Sequence, residues 1–254
     1  LRSGGRPGFA EYRFLTDLLV RGGRCLDDAR AVLFDKDGTL IDIHHYWASM
    51  IRLRTDQLVG GVDGFGQLAE GLIDAMGVDP VTGRMKPQGP VGVRPRTEIV
   101  DVVAEFLRAN GIELSHREVE KRFVEVDHRT GEDLLPLLRL LPGVEELLDD
   151  LVSEGVAVAV VTTDLTHRAR RALEVLGLDG RVDVVVGGDL VVAAKPSPDL
   201  AFLALRTIGL EPGHAVVVGD HLVDIQMAGA AGCGAAIGML TGLAGPRDFV
   251  GEDC

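Results

Sequence analysis

The stretch AVLFDKDGTLID, residues 31–42, joins four apolar residues directly to two aspartates separated by one lysine. A short, continuously apolar run is typical of a strand buried on both faces of a parallel sheet. Gly38 follows the aspartates and predicts a tight turn in which the backbone can approach a ligand closely. Alternation along an extended chain places Asp35 and Asp37 on one side and directs Lys36 away from them. The stretch therefore predicts a core strand that ends in a pair of carboxylates.

Apolar runs alternate with amphipathic segments in the second half of the chain, after residue 141. The apolar runs are 156–162, 182–188, 215–220 and 234–240. The helical patterns are 144–155, 165–178, 197–210 and 223–233, the third of them with Ser197 as its predicted N-cap. Continuously apolar strands that alternate with helices predict an α/β fold with a doubly wound parallel sheet.

Residues 42–140 differ from this pattern, because they show helical periodicity and no long strand. The predicted helices are 45–59, 65–76, 97–109 and 115–127. A structureless loop of that length is implausible within a compact domain. We therefore predict three parts: a Rossmann-like core of residues 28–41 and 141–254, an inserted helical cap domain of residues 42–140, and an N-terminal extension, residues 1–27, with one helix at 9–21.

Composition and charge exclude several classes of partner. The chain has 254 residues and a formal net charge of −13 at pH 7, which argues against nucleic acid and anionic membranes as partners. Its three cysteines are too sparse for a disulfide framework or a zinc site and favour a reducing compartment. No apolar run is long enough to span a bilayer. We expect a cytoplasmic protein, monomeric or homodimeric, that binds neither membrane nor nucleic acid.

Polar residues follow the predicted strands where ligands bind in an open parallel sheet, at the carboxyl ends. They are Asp35, Asp37, Thr162, Thr163, Asp164, Lys195, Asp220 and Asp224. Crowded carboxylates repel one another, and a hard cation such as Mg²⁺ relieves this with few carboxylates, waters and substrate phosphate. One carboxylate can then attack phosphorus while a second moves the proton. A hydroxyl and a lysine can hold the equatorial oxygens. The set predicts phosphoryl transfer.

The segments FDKDGTLID, VVTTD, AKPSPDLAFLAL and VVVGDHLVDIQMAGAAGCG resemble the four ordered motifs of the haloacid dehalogenase-like (HAD) superfamily, in its phosphatase branch. The resemblance implies Asp35 as the nucleophile and Asp37 as the general acid/base. It implies Thr162 as the phosphoryl-binding hydroxyl and Lys195 as the cation that steadies nucleophile and phosphate. Mg²⁺ would be held by Asp35, the carbonyl of Asp37 and Asp220, with Asp224 either as a further ligand or as a support for the ligands. His221 stands where a small residue is common in this family, and the sequence assigns it no role.

The predicted insertion resembles the helical C1 cap of the phosphoglycolate phosphatase and β-phosphoglucomutase group, whose capped members generally handle small soluble phosphate esters. Substrate contacts are then expected from Gly38 and Thr163 near the phosphoryl group, and from Arg94 and Arg96 at the non-reacting end. A solvated loop explains each of these two arginines equally well.

The function predicted from the sequence is a Mg²⁺-dependent phosphatase that acts on a small phosphorylated metabolite through an aspartyl-phosphate. One alternative is a phosphosugar mutase of the β-phosphoglucomutase type. A non-catalytic phospho-ligand sensor is an alternative of another class, although an intact Asp37 argues against it.

Overall fold

The structure is a computed structural model, which describes residues 29–61, 65–91, 94–133 and 135–249. The helix predicted at 9–21 lies outside the described residues. Among the described helices, none is both long enough and apolar enough to cross a bilayer. The chain divides into two compact units, one of residues up to Asp42 and from Leu140 onward, the other of Ile43–Arg139.

The first unit is built on a parallel sheet of five strands in the order β3-β2-β1-β4-β5. The strands are β1 (Ala31–Phe34), β2 (Ala157–Val161), β3 (Val184–Val186), β4 (Ala215–Gly219) and β5 (Ala235–Gly238). Phe34, the last residue of β1, lies opposite Val160 on one side and Val218 on the other. The predicted α/β class is confirmed by this sheet.

Helices cover the sheet because its strands are apolar on both faces. They are α5 (Val144–Ser153), α6 (Thr166–Val175), α7 (Asp199–Ile208) and α8 (Leu222–Ala231). Leu33, Ala159 and Val217 pack in one core cluster with residues of α7 and α8 such as Leu200 and Met227. The chain builds outward from β1 through β2 to β3 and then returns to β4. The strand order therefore reverses between β1 and β4, where open α/β sheets bind ligands.

The helix α7 begins one residue later than the predicted N-cap requires. Its N-cap is Pro198, and no side chain caps it. The hydroxyl of Ser197 donates to Asp199 Oδ1 at 2.9 Å instead of accepting a helix N–H. The prediction of Ser197 as N-cap is therefore wrong, because the acidic residue of the first turn takes up its hydroxyl.

The second unit is helical, with α1 (Ile43–Val59), α2 (Phe65–Ala75), α3 (Arg96–Ala109) and α4 (His116–Glu132). Ser115 and Glu118 form a capping box at the start of α4. Inside the unit, the guanidinium of Arg54 lies 4.5 Å from the ring centre of Phe123 and donates to Asp127 at 2.9 Å. A buried arginine is thus paired with an aromatic face and a carboxylate together.

Candidate active site

Two aspartates extend from the neighbouring central strands at the point where the strand order reverses. Asp35 directly follows β1, and its N–H donates to the carbonyl of Val218 at 2.8 Å, which continues the sheet ladder by one residue. Asp220 directly follows β4. The buried parallel pairing of β1 and β4 therefore brings these two carboxylates together although they are far apart in the sequence.

A compact turn connects Asp35 to the rest of its loop. The carbonyl of Lys36 accepts the N–H of Ile41 at 3.0 Å, and the N–H of Gly38 donates to the carbonyl of Ile41 at 2.8 Å. Gly38 has a φ of +90°, and a β carbon there would lie 2.3 Å from Asp220 Oδ2. The hydroxyl of Thr241 donates to the carbonyl of Gly38 at 2.5 Å. The turn needs glycine both for its backbone conformation and for the room that Asp220 takes up.

Lys195 lies between two carboxylates. Its Nζ is 2.5 Å from Asp35 Oδ1 and 2.6 Å from Asp224 Oδ1, and its side chain is only 2% exposed. Burial alone would lower the pKa of Lys195, but Asp35 and Asp224 outweigh it and raise that pKa above its usual value. Burial, together with the charge of Asp224, raises the pKa of Asp35 against the opposing effect of Lys195. Lys195 therefore remains a buried cation beside the predicted nucleophile.

The N-terminus of α8 holds Asp224 in place and gives His221 a role. The N–H of His221 donates to Asp224 Oδ2 at 3.1 Å, while its ring Nδ1 accepts the N–H of Val223 at 3.3 Å. These contacts form a capping box. Gly219 makes room for it, since a β carbon there would lie 2.3 Å from Asp224 Cγ. One oxygen of Asp224 thus forms an ion pair with Lys195, and the other accepts the main-chain N–H of His221.

Asp220 is a buried carboxylate among other carboxylates. The residue is 6% exposed, and burial followed by the charges of Asp35 and Asp224 raises the pKa of Asp220 to about 8. Glycine backbone lies against it on two sides. A β carbon at Gly38 would lie 2.3 Å from Asp220 Oδ2, and one at Gly242 would lie closer still. Such a group is costly to ionise unless a cation joins it.

Strand alternation predicted that Lys36 points away from the aspartates, but in the structure it does not. Its Nζ lies 2.8 and 2.7 Å from the two carboxylate oxygens of Asp37 and 3.4 Å from Asp164 Oδ2. The prediction is wrong because β1 ends at Phe34, so the alternation no longer applies at residue 36. Burial raises the pKa of Asp37, with Lys36 acting against it, while 36% of the Asp37 side chain stays exposed and open to a reactant.

The two threonines after β2 differ in their surroundings. Thr162 is 2% exposed, and its N–H donates to the carbonyl of Val186 at 3.0 Å. Its hydroxyl oxygen accepts the N–H of Asp164 at 3.1 Å, so the hydroxyl hydrogen can be donated elsewhere. Thr163 is exposed, and its main chain passes close to Gly188. Thr162 is thus oriented by the backbone, as a phosphoryl-binding hydroxyl requires.

The residues at this edge fit a magnesium ion that keeps most of its ligands outside the protein. Within the described residues, no three side chains of His, Cys, Asp or Glu form a group that could hold a metal ion. Asp35 and Asp220 offer carboxylates and Asp37 its main-chain carbonyl, and a direct contact of Asp224 with the ion stays a prediction. Mg²⁺ commonly takes one or two carboxylates with waters and substrate phosphate. Burial and the charges of Asp35 and Asp224 raise the pKa of Asp220, and a cation bound beside it would relieve that crowding.

The predicted contacts to the far end of a substrate lie in the helical unit. Arg94 is 51% exposed and lies 3.9 Å from Glu98. Arg96 donates to Asp127 at 2.5 Å and lies 2.8 Å from Glu120. Arg96 therefore already has acidic partners, and contact of either arginine with a substrate stays a prediction.

Several residues of the site received no role from the sequence. Thr241 and Gly242 lie three and four residues after the end of β5, and the rule that ligands gather at strand ends applied there as well. Asp164 follows β2 in the quoted motif, but nothing in the sequence connects it to Lys36. His221 was visible only as an unusual residue. Its capping contact depends on the position at which α8 begins.

Comparison with known proteins agrees with this geometry. The model of the family "haloacid dehalogenase-like hydrolase" matches residues 29–232. The phosphoglycolate phosphatase of Pectobacterium atrosepticum is 30% identical over 214 residues, 84% of this chain and 81% of that protein. Two phosphoglycolate phosphatases of Haemophilus influenzae are 33% identical over 135 residues, and the chain spans 60% of their length. All of these relatives are phosphoglycolate phosphatases.

A solved structure supports the fold. The crystal structure of a HAD-superfamily hydrolase of subfamily IA from Geobacter sulfurreducens has a TM-score of 0.59 and 22% identity. The similarity covers 83% of this chain and 92% of that chain. The match of the family model to residues 29–232 confirms the resemblance inferred from the four motifs.

Proposed function

Because the chain belongs to the haloacid dehalogenase-like hydrolases, we propose that it is a Mg²⁺-dependent phosphatase that hydrolyses a small phosphorylated metabolite through an aspartyl-phosphate. The observation that carries the proposal is Lys195, whose buried ammonium lies 2.5 Å from Asp35 and 2.6 Å from Asp224 at the end of β1. An ammonium in this position orients the nucleophile and adds positive charge where a phosphate dianion would bind.

In the first step, a carboxylate oxygen of Asp35 attacks phosphorus, and the bond from phosphorus to the ester oxygen breaks. Asp37 gives its proton to that departing oxygen, so that an alcohol leaves and a phosphoryl group stays on Asp35. Thr162 donates its hydroxyl hydrogen to an equatorial oxygen, and Lys195 offsets the charge of another. The 36% exposure of the Asp37 side chain supports its role at the reactant's side of the site.

In the second step, water attacks phosphorus and Asp37 takes the proton that the water loses. The bond between phosphorus and Asp35 breaks, inorganic phosphate leaves, and both aspartates return to their starting forms. Asp37 thus moves one proton in each direction per turnover. The same group can do both because the first step leaves it as the base that the second step needs.

The residues proposed to hold Mg²⁺ are the carboxylates of Asp35 and Asp220 and the main-chain carbonyl of Asp37. When bound, the ion would neutralise charge on the phosphoryl oxygens and make the crowded carboxylates tolerable. Asp224 is proposed either as a further ligand or as a support that acts through Lys195, whose ammonium lies 2.6 Å from it.

The substrate class that we propose is a small phosphate monoester of the cytoplasm, acted on by a monomer or homodimer. Phosphoglycolate is the first candidate, because the relatives named above are phosphoglycolate phosphatases. Arg94 and Arg96 are proposed contacts for the non-reacting end of the substrate, and Gly38 and Thr163 for the phosphoryl group.

The test is a phosphate-release screen of phosphorylated metabolites with Mg²⁺, repeated with EDTA. We expect release from at least one small monoester with Mg²⁺ only, and a loss of about 10³-fold or more in Asp35→Asn with an unchanged fold. Conversion of a hexose 1-phosphate to its 6-phosphate without free phosphate would indicate a mutase instead. Binding of Mg²⁺ and phosphate without turnover of any ester would indicate a sensor.

A further inference from the structure

The ammonium of Lys36 is an enclosed charged group of the site to which the reaction above gives no task. The residue is 5% exposed, yet it carries a charge at the end of a core strand. Burying an ammonium costs several kcal/mol unless partners compensate, and an apolar side chain of similar volume usually fills such a place at no loss of stability. A lysine here therefore calls for an explanation beyond packing.

The partners of Lys36 provide one. Its Nζ contacts both oxygens of Asp37, at 2.8 and 2.7 Å, so one ammonium spans the whole carboxylate. Asp164 Oδ2 lies 3.4 Å away on the other side. Asp164 is fixed in turn, because its Oδ1 accepts the N–H of Leu165 at 2.8 Å and its carbonyl accepts the N–H of Gly188 at 2.9 Å. Lys36 thus connects Asp37 to a rigid point at the end of β2.

The arrangement repeats that of the other catalytic aspartate. Lys195 lies between Asp35 and the supporting Asp224, and Lys36 lies between Asp37 and the supporting Asp164. Asp37 needs such support because it is the more exposed of the two, at 36% of its side chain against 13% for Asp35. A half-exposed carboxylate would otherwise sample several rotamers.

We propose that Lys36 is a positioning residue which, through Asp164, fixes the orientation of the Asp37 carboxyl for proton transfer at the ester oxygen. The inference rests on the proposed function, in which Asp37 is the general acid/base. Geometry of this kind has a large effect, since displacement of a catalytic group by about 1 Å can cost about 100-fold in rate.

The test compares two esters whose need for proton transfer differs. β-Glycerol phosphate releases an alkoxide and depends on the acid, whereas p-nitrophenyl phosphate releases a stable phenolate. In Lys36→Met we expect kcat/KM for β-glycerol phosphate to fall about 10-fold or more and for p-nitrophenyl phosphate less than about 3-fold. Inhibition by inorganic phosphate should be unchanged, because Lys36 does not bind the phosphoryl group. Equal losses on the two esters, or no loss, would overturn the proposal.

Asp37→Asn supplies the matched control. If Lys36 acts through Asp37, then Lys36→Met should lower kcat/KM no further in the Asp37→Asn background. A selective loss in Asp37→Asn but not in Lys36→Met overturns the inference and leaves the proposed function standing. No loss in Asp37→Asn overturns both. Should Lys36→Met fail to fold, Asp164→Asn carries the same test, with a smaller selective loss expected because it removes only the contact at 3.4 Å.

Discussion

Replacing Asp220 with asparagine should stabilise the metal-free protein at pH 8 and abolish much of its response to Mg²⁺. The pKa of this carboxyl rises from 3.8 to about 8 on folding, because the group is buried beside Asp35 and Asp224. Between these two values the folded protein binds more protons at Asp220 than the unfolded chain does. The free energy of unfolding therefore falls as the pH rises through this window.

The size of the effect follows from the same shift. With 1.36 kcal/mol for each pKa unit, Asp220 costs about 5 kcal/mol of stability at pH 8 and about 1 kcal/mol at pH 4.5. Asparagine has nearly the same shape and no charge to bury. Since 1 kcal/mol corresponds to about 2–4 °C for a protein of this size, a partial recovery should raise the apparent Tm by about 5 °C or more at pH 8. At pH 4.5 the gain should be less than about 3 °C.

The assay is thermal unfolding in EDTA at both pH values, repeated with a series of Mg²⁺ concentrations. In the unaltered protein Mg²⁺ should raise the Tm, and more so toward pH 8, because binding must displace a proton. In Asp220→Asn that rise should be largely lost. Asp101→Asn is the control, since Asp101 is 60% exposed and its loss should change the Tm little. An Asp220→Asn variant no more stable than the unaltered protein at pH 8, or equally stabilised at both pH values, would refute the charge-crowding argument.

Three further changes test other parts of the structure. Gly38→Ala should destabilise the protein more than Gly111→Ala does, and it should abolish phosphate release. Both glycines have positive φ, but of the two only Gly38 would bring its new β carbon against a carboxylate. Equal losses of Tm in the two variants would contradict this packing. His221→Ala should cost about 1 kcal/mol in urea unfolding through the lost cap, and His221→Asn should restore most of it. Asp127→Asn should cost about 2 kcal/mol in the same measurement, because it weakens the carboxylate partner of the buried Arg54. An unchanged urea midpoint would mean that the ring of Phe123 is a sufficient partner for that arginine.

The fold was predictable because the strands are continuously apolar. AVLF and AVVV are typical of central strands of a parallel sheet, and the rule for strand ends then selects Asp35, Thr162 and Asp220. The contacts of Lys36 were not predictable, because they depend on the residue at which β1 ends. A strand one or two residues longer would have directed that side chain elsewhere.

Side-chain partners across the sheet edge were also beyond the sequence. The hydroxyl of Thr241 reaches the carbonyl of Gly38 only because β5 lies beside β4 and β4 beside β1. The role of His221 depends on α8 beginning at Leu222, and that of Ser197 on Asp199 competing for its hydroxyl. Strand order and local competition for hydrogen bonds decided these cases, and neither can be read from periodicity.

The place of β1 in the sheet has a consequence for how the site comes into being. Ala31 pairs with Ala157 and with Ala215, so both neighbours of the first strand are made only after the whole helical unit. The contacts within Ile43–Arg139 are closer in sequence, and closing a long loop before pairing slows folding. During synthesis the helical unit can therefore fold before the partner strands of β1 have been made. The nucleophile meets its lysine and its second carboxylate only when β4 and α8 have emerged, so a partly made chain carries Asp35 without the means to use it.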